Sequence, residues 1–149
     1  MGAALLFVVG LSGCSTTSVD TTQTTAIAPE PALPGDAELT AGKAQFRQAN
    51  YGLAEQHFRK AVELNAQNPE AWMGLAAAYD QLGRFDFADR AYEQLLKIAG
   101  RKPEIVNNMG YSYYLRGDLK KARKLLDEAR RSMADTTVVD ANLKLVAKG

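Results

Sequence analysis

Few side chains in this sequence could do covalent chemistry, and those few stand apart from one another. The one cysteine, Cys14, has no partner within the chain for a disulfide. The one histidine, His57, lies between Gln56 and Phe58 with no second imidazole to share a metal or a proton. A Ser-His-Asp or Cys-His arrangement, or a zinc set, needs several donors converging on one point, and this composition does not supply them. Glycines do not gather into a phosphate loop. The sequence therefore predicts no enzyme, no catalytic residue, no metal site and no cofactor. Charge narrows the partners as well. With 18 Lys and Arg against 17 Asp and Glu, the chain lacks the basic excess of a nucleic-acid binder.

What surrounds Cys14 gives the thiol a different chemistry. Ala3 to Leu11 is an apolar run of nine residues, far short of the roughly 20 that a helix needs to cross a bilayer, but of the length of a signal-peptide core. Leu11-Ser12-Gly13-Cys14 follows it and resembles a bacterial lipobox. Resemblance to the lipoprotein family implies that the Cys14 thiol is alkylated with diacylglycerol, the chain is cut before it, and the new amino terminus is acylated, with palmitate for example. Each buried methylene contributes about 0.8 kcal/mol, so two or three chains hold firmly where one does not. Residues 1–13 are thus expected to be a signal peptide. Met1-Gly2 offers no basic side chain, so the true start is expected to lie further upstream. Ser15, where an inner-membrane retention signal would be Asp, implies an envelope protein anchored by lipid in the outer membrane and facing the periplasm. Residues 14–34, rich in Thr and Pro, are expected to form a disordered tether with a typical span of roughly 25 Å.

The rest of the chain repeats itself with a period of about 34 residues. One period on, Pro69 falls onto Pro103, Tyr79 onto Tyr113, Gly83 onto Gly117, Ala88 onto Ala122 and Tyr92 onto Leu126. The opposite shift lays Ala54 on Ala88, Phe58 on Tyr92 and Gly42 on Ala76. Within the middle copy, Trp72, Leu75, Tyr79, Gly83, Phe85, Ala88 and Tyr92 fall at the spacings of a helix-turn-helix pattern. On these residues the chain resembles the tetratricopeptide repeat (TPR) family. The resemblance implies an all-α fold, a superhelix of three helical hairpins over 35–68, 69–102 and 103–136. Residues 137–149, with Val138, Val139, Leu143 and Val146 at helical spacing, are expected to form a capping helix.

Local signals place the helix ends. The first hairpin reads as a helix over Ala37 to Ala49, a turn at Asn50 that tolerates the left-handed conformation, and a helix over Leu53 to Leu64. Gly83 and Gly117 supply the corresponding stops in the later copies. Asn68-Pro69-Glu70 reads as a helix start: a capping oxygen, a proline whose missing N–H is not needed, and a carboxylate at the positive end of the dipole. Ala88 and its copies are small so that paired helices can approach, and Trp72 is expected in the core. The basic residues between Lys120 and Arg131 are expected to be a solvated helix face, paired at i to i+4 with Asp118, Asp127 and Glu128.

Stacked hairpins leave an inner wall built from the first helix of each repeat. By resemblance to TPR domains, the residues facing it are Lys43, Phe46 and Arg47, then Met73, Ala77 and Asp80, then Asn107, Tyr111 and Tyr114. An amide, two phenols and mixed charges suit a peptide, because Asn pairs with both backbone groups and Tyr offers a large face at little entropic cost. The Lys and Asn set of carboxylate-clamp TPR domains is not reproduced, so chaperone tails are not the expected ligand. The sequence thus predicts a membrane-anchored scaffold that binds another envelope protein during complex assembly. The segment from Phe85 to Ala129 also resembles TPR lipoproteins of tight-adherence (Tad, Flp) pilus assembly. Two alternatives remain at this point: an assembly or piloting factor for another envelope machine, and an accessory protein that binds glycan or peptidoglycan.

Overall fold

A computed structural model describes residues 33–149. The expected signal peptide, Cys14 and most of the expected tether lie outside the described residues. Seven helices follow in order: α1 (Asp36–Arg47), α2 (Tyr51–Leu64), α3 (Pro69–Gln81), α4 (Phe85–Ala99), α5 (Pro103–Leu115), α6 (Leu119–Ser132) and α7 (Thr137–Val146). No strand occurs among the described residues. The helices pair as three antiparallel hairpins, α1 with α2, α3 with α4 and α5 with α6, and α7 packs last. This is the all-α stack that the sequence repeat predicts.

The hairpins share one way of turning. After each first helix, one residue adopts a left-handed conformation: Ala49 (φ 59°), Gly83 (φ 67°) and Gly117 (φ 81°). The next N–H then reaches back to a carbonyl five residues earlier, from Asn50 to Gln45, Arg84 to Tyr79 and Asp118 to Tyr113, at 2.9–3.0 Å. This closing pattern satisfies carbonyls that the helix end would otherwise orphan. It also corrects the sequence reading of the first turn. Asn50 is not the left-handed residue; its φ is −82° and it stands at the N-cap position of α2 without a side-chain capping bond, while Ala49 takes the place of Gly83. Because the turn closes there, α1 stops at Arg47, and Tyr51 and Gly52 join α2. At the start of α3, the Asn68 side chain accepts from the N–H groups of Glu70 and Ala71 at 3.0 and 3.1 Å.

The core follows the small-residue positions. Ala54, Ala88 and Ala122 are fully buried where paired helices touch, and Phe58, Tyr92 and Leu126 fill the space one turn on. Phe58 fits because Gly42 and Gly74 have no side chains; a Cβ on either would stand 2.5–2.7 Å from its ring. Leu126 meets Gly110 in the same way, at 2.7 Å. Trp72 is half-buried against the core and donates its indole N–H to the Ala66 carbonyl at 2.8 Å.

The basic helix departs from expectation. No ion pair forms within α6 among the described residues. Its carboxylates and cations instead tie it to neighbours: Glu128 takes both arms of Arg101, at 2.7 and 2.9 Å, and Arg130 pairs with Asp140 of α7 at 2.6 Å. Asp118 caps the helix through the Lys121 N–H at 2.9 Å. An i to i+4 pair on an exposed helix gains only a few tenths of a kcal/mol, about as little as the inter-element pairs that replace it.

Candidate protein-binding groove

The first helices α1, α3 and α5 stand side by side, and the groove is the surface they share. Two hollows mark it. The first, about 220 Å³, is lined by Lys43, Phe46 and Arg47 from α1, Met73, Gly74 and Ala77 from α3, and the ring of Phe58 beneath. The second, about 360 Å³, is lined by Phe46, Ala77, Asp80, Gln81, Tyr92, Asn108 and Tyr111. Phe46 and Ala77 belong to both, so the hollows run into one another.

The first hollow is apolar below and cationic at its rim. Gly74 and Gly42 leave room for the Phe58 ring between α1 and α3, where it forms the hollow's floor while only 2% exposed. Lys43 ion-pairs with Glu70. Arg47 is exposed and has no ion pair among the described residues. Such a pocket can take an apolar side chain with a carboxylate close by.

The second hollow has a polar floor, and its chemistry is largely spent on the protein itself. Asp80 is buried; its carboxylate accepts from the Tyr92 hydroxyl at 3.0 Å and the Ser112 hydroxyl at 2.6 Å. Arg116 stands 3.8 Å from it and forms a fork with Asp89, both bonds 3.0 Å. Burial pushes the Asp80 carboxyl above its ordinary range, and the two hydroxyl donors and Arg116 only partly oppose this. Burial also pushes the Tyr92 hydroxyl well up, helped by the Asp80 charge. Asp80 therefore lines the hollow as a satisfied floor that ties α3, α4 and α5 together.

The wall residues expected from sequence are divided accordingly. Lys43, Phe46, Arg47, Met73, Ala77 and Tyr111 line the hollows together. Tyr111 and Tyr114 lie with ring centroids 5.8 Å apart, and Tyr114 packs against the core of the last hairpin. Asn107 is only 4% exposed; it donates to Asn108 at 3.2 Å and accepts from Asn142 of α7 at 3.0 Å. Its neighbour Asn108 faces the hollow instead and donates to the Met73 sulfur at 2.9 Å. Sequence reasoning missed Gly74 and Phe58. The signal was there: one repeat on from Gly74 stands Asn108, so the middle copy lacks a side chain where the next one carries an amide.

His57 is held by Glu38 at 2.6 Å, a contact between α1 and α2. No cluster of potential metal ligands exists among the described residues.

Stacked helical hairpins with a shared inner wall define a repeat scaffold, and the chain carries tetratricopeptide repeats: residues 45–99 and 78–135 each match a family model described as tetratricopeptide repeat. Such repeats are protein-interaction modules, typically without catalysis. Among curated proteins, the chain is similar to the type IV pilus assembly protein PilF of Pseudomonas aeruginosa, 28% identical over 149 residues, 97% of this chain and 58% of PilF. It is also similar to the cytochrome c-type biogenesis protein CycH of the same organism, 29% identical over 90 residues, 57% of this chain and 22% of CycH. The chain spans 12–58% of the length of the curated relatives it matches. A solved structure of Pseudomonas aeruginosa PilF superposes with a TM-score of 0.63 at 27% identity, covering 76% of this chain and 52% of that one. The first TPR of Spaghetti (RPAP3) bound to an HSP90 peptide shares the fold, with a TM-score of 0.65 at 16% identity, covering 77% and 91%.

Proposed function

We propose that this protein is a membrane-anchored TPR scaffold that holds a segment of another envelope protein in its groove while a pilus-type complex is assembled. The apolar hollow over Phe58, with Arg47 at its rim, carries this reading, because a shaped pocket with a cation beside it selects a ligand. The similarity to PilF supports the pathway. It covers 97% of this chain and so takes in the stretch around Cys14. The pilus relative at hand belongs to type IV pilus assembly, so the tight-adherence reading gains nothing from it. In this reading Cys14 carries the lipid and residues 15–34 let the repeats stand clear of the outer membrane.

The test is made in cells. A photo-crosslinking residue at Ala77 should capture one envelope protein, and Met73→Glu, which places a charge in the hollow, should abolish both the crosslink and pilus assembly. Cys14→Ala should move the protein from the membrane to the soluble periplasmic fraction. Normal pilus assembly by the Met73→Glu strain would sink the groove reading, and continued membrane association of Cys14→Ala would sink the lipid anchor.

A further inference from the structure

The outer side of the stack holds a hollow that the groove does not use. Trp72, Leu75 and Tyr79 stand at i, i+3 and i+7, and so share a face of α3 other than that of Met73, Ala77 and Asp80. The second helices α2 and α4 close in on this face and leave a cavity of about 240 Å³. Its floor is apolar: Leu75, Val62 of α2 and Ala91 of α4 are buried there. Its walls are aromatic. Tyr79 and Phe87 lie with ring centroids 5.4 Å apart, and half-buried Trp72 lines the same cavity.

Two arginines complete the lining, Arg59 and Arg90, and no carboxylate joins them. The Arg59 Nε donates to Glu55 at 3.1 Å, and the Tyr79 hydroxyl donates to the same carboxylate oxygen at 3.3 Å. Buried Glu55 thereby fixes a cation and a phenol at the edge of the hollow. Arg90 is exposed, with its guanidinium carbon 5.5 Å from the centre of the Phe87 ring, and forms no ion pair among the described residues.

The stack itself does not call for this arrangement. One repeat on from Phe87 stands Lys121, whose ammonium lies 4.0 Å from the centre of the Tyr113 ring and donates to its hydroxyl at 2.7 Å. One repeat on from Arg59 stands Glu93. At one junction, then, a lysine covers the tyrosine; at the other a phenylalanine stands beside it, 50% exposed at the mouth of a cavity. That ring is wasted on water and gains only when something covers it.

We propose that this hollow is a second protein-docking site, and that its occupant is a segment of a partner protein presenting one large apolar side chain between carboxylates. The apolar side chain enters among Trp72, Tyr79 and Phe87, and the carboxylates meet Arg59 and Arg90. Charge complementarity selects this occupant, because a lining with two cations and no anion favours an acidic segment and repels a basic one. Trp, Tyr and Arg around an apolar pocket are also the residues that carry most of the energy at protein interfaces. The site does not depend on the groove, so the scaffold holds two proteins at once, one on each side of α3.

Trp72 is the one tryptophan of the chain, so its emission reports on this hollow. The purified full chain is titrated with synthetic peptides carrying Leu, Met or Phe between two aspartates, and with the same peptides carrying lysines instead. The aspartate peptides should shift Trp72 emission to the blue, with an affinity that falls as salt rises. The lysine peptides should not bind. Phe87→Lys, which gives α4 the residue that α6 already carries, and Arg90→Glu should each weaken binding by about tenfold or more. Both positions are exposed, so both variants keep the fold. Met73→Glu should bind as the parent does. If no peptide moves the emission, or if Phe87→Lys binds like the parent, the outer site is wrong and the groove reading is untouched. If Met73→Glu abolishes the response, the peptides sit in the groove, which also overturns the outer site. Emission of the parent alone that shifts with protein concentration, and does not in Phe87→Lys, makes the hollow a contact between copies and overturns the proposal. So does a stronger response to phosphatidylglycerol vesicles than to any peptide.

Discussion

Gly74 of α3 faces the Phe58 ring of α2 so closely that a Cβ at Gly74 would stand 2.5 Å from Cε1. One absent side chain thereby lets a core phenylalanine serve also as the floor of the groove. Gly74→Ala should push the ring out of its place and lower stability by about 1–3 kcal/mol, the ordinary cost of overpacking. Gly52→Ala is the control. No atom lies within 4 Å of that position, so the change should stabilise by about 0.5–1 kcal/mol through helix propensity. Chemical denaturation of both variants checks the pair; a neutral Gly74→Ala would show that the ring moves freely.

Ala49 occupies a left-handed turn position that Gly83 and Gly117 fill in the other hairpins. A residue with a Cβ is strained there by about 1–2 kcal/mol, part of which glycine returns through its freer unfolded chain. Ala49→Gly should therefore raise stability by about 0.5–1 kcal/mol, measured as a higher denaturation midpoint with unchanged slope. Gly83→Ala should move the midpoint the other way.

Asp80 gives the fold an acid-range signature. Burial raises its carboxyl above the ordinary 3.8, so the folded state holds this proton more tightly than the unfolded chain. The associated stability is fully present below pH 3.8 and is lost as pH rises through the higher folded value. In Asp80→Asn that loss disappears. Midpoints of the two proteins, measured from pH 3.5 to 7, should diverge in favour of the variant as pH rises through this window. Parallel curves would show that the carboxyl is not shifted.

Arg116 holds Asp89 with two bonds of 3.0 Å and lies 4.8 Å from the Phe85 ring and 4.4 Å from that of Tyr113, with a side chain only 15% exposed. Lysine carries the charge but not the fork or the planar face. Arg116→Lys should cost about 1–3 kcal/mol. Arg116→Ala should cost more and raise the Asp80 carboxyl further, since a neighbouring positive charge is gone. A double cycle with Asp89→Asn, read by denaturation, separates the fork from the stacking.

Much of this architecture is legible along the chain because a repeat protein writes each contact several times. Ala54, Ala88 and Ala122 announce close helix approach, and the shift by one repeat locates every later hairpin. The first turn was harder to read, because alanine carries no signal for a left-handed conformation and its neighbour Asn50 does. Asn107 illustrates the other limit: an amide at a groove position reads as a ligand contact until α7 covers it.

By itself, then, the sequence determined the helices, their pairing and the first-helix faces, since periodicity and small residues act between near neighbours. Only the tertiary structure decided what those faces are free to touch. Whether a side chain meets a ligand or a neighbouring helix depends on packing between repeats, as with Asp80 closed by Tyr92 and Ser112, and Phe58 seated against Gly74. Those contacts join residues 12 to 32 positions apart, and no local pattern encodes them.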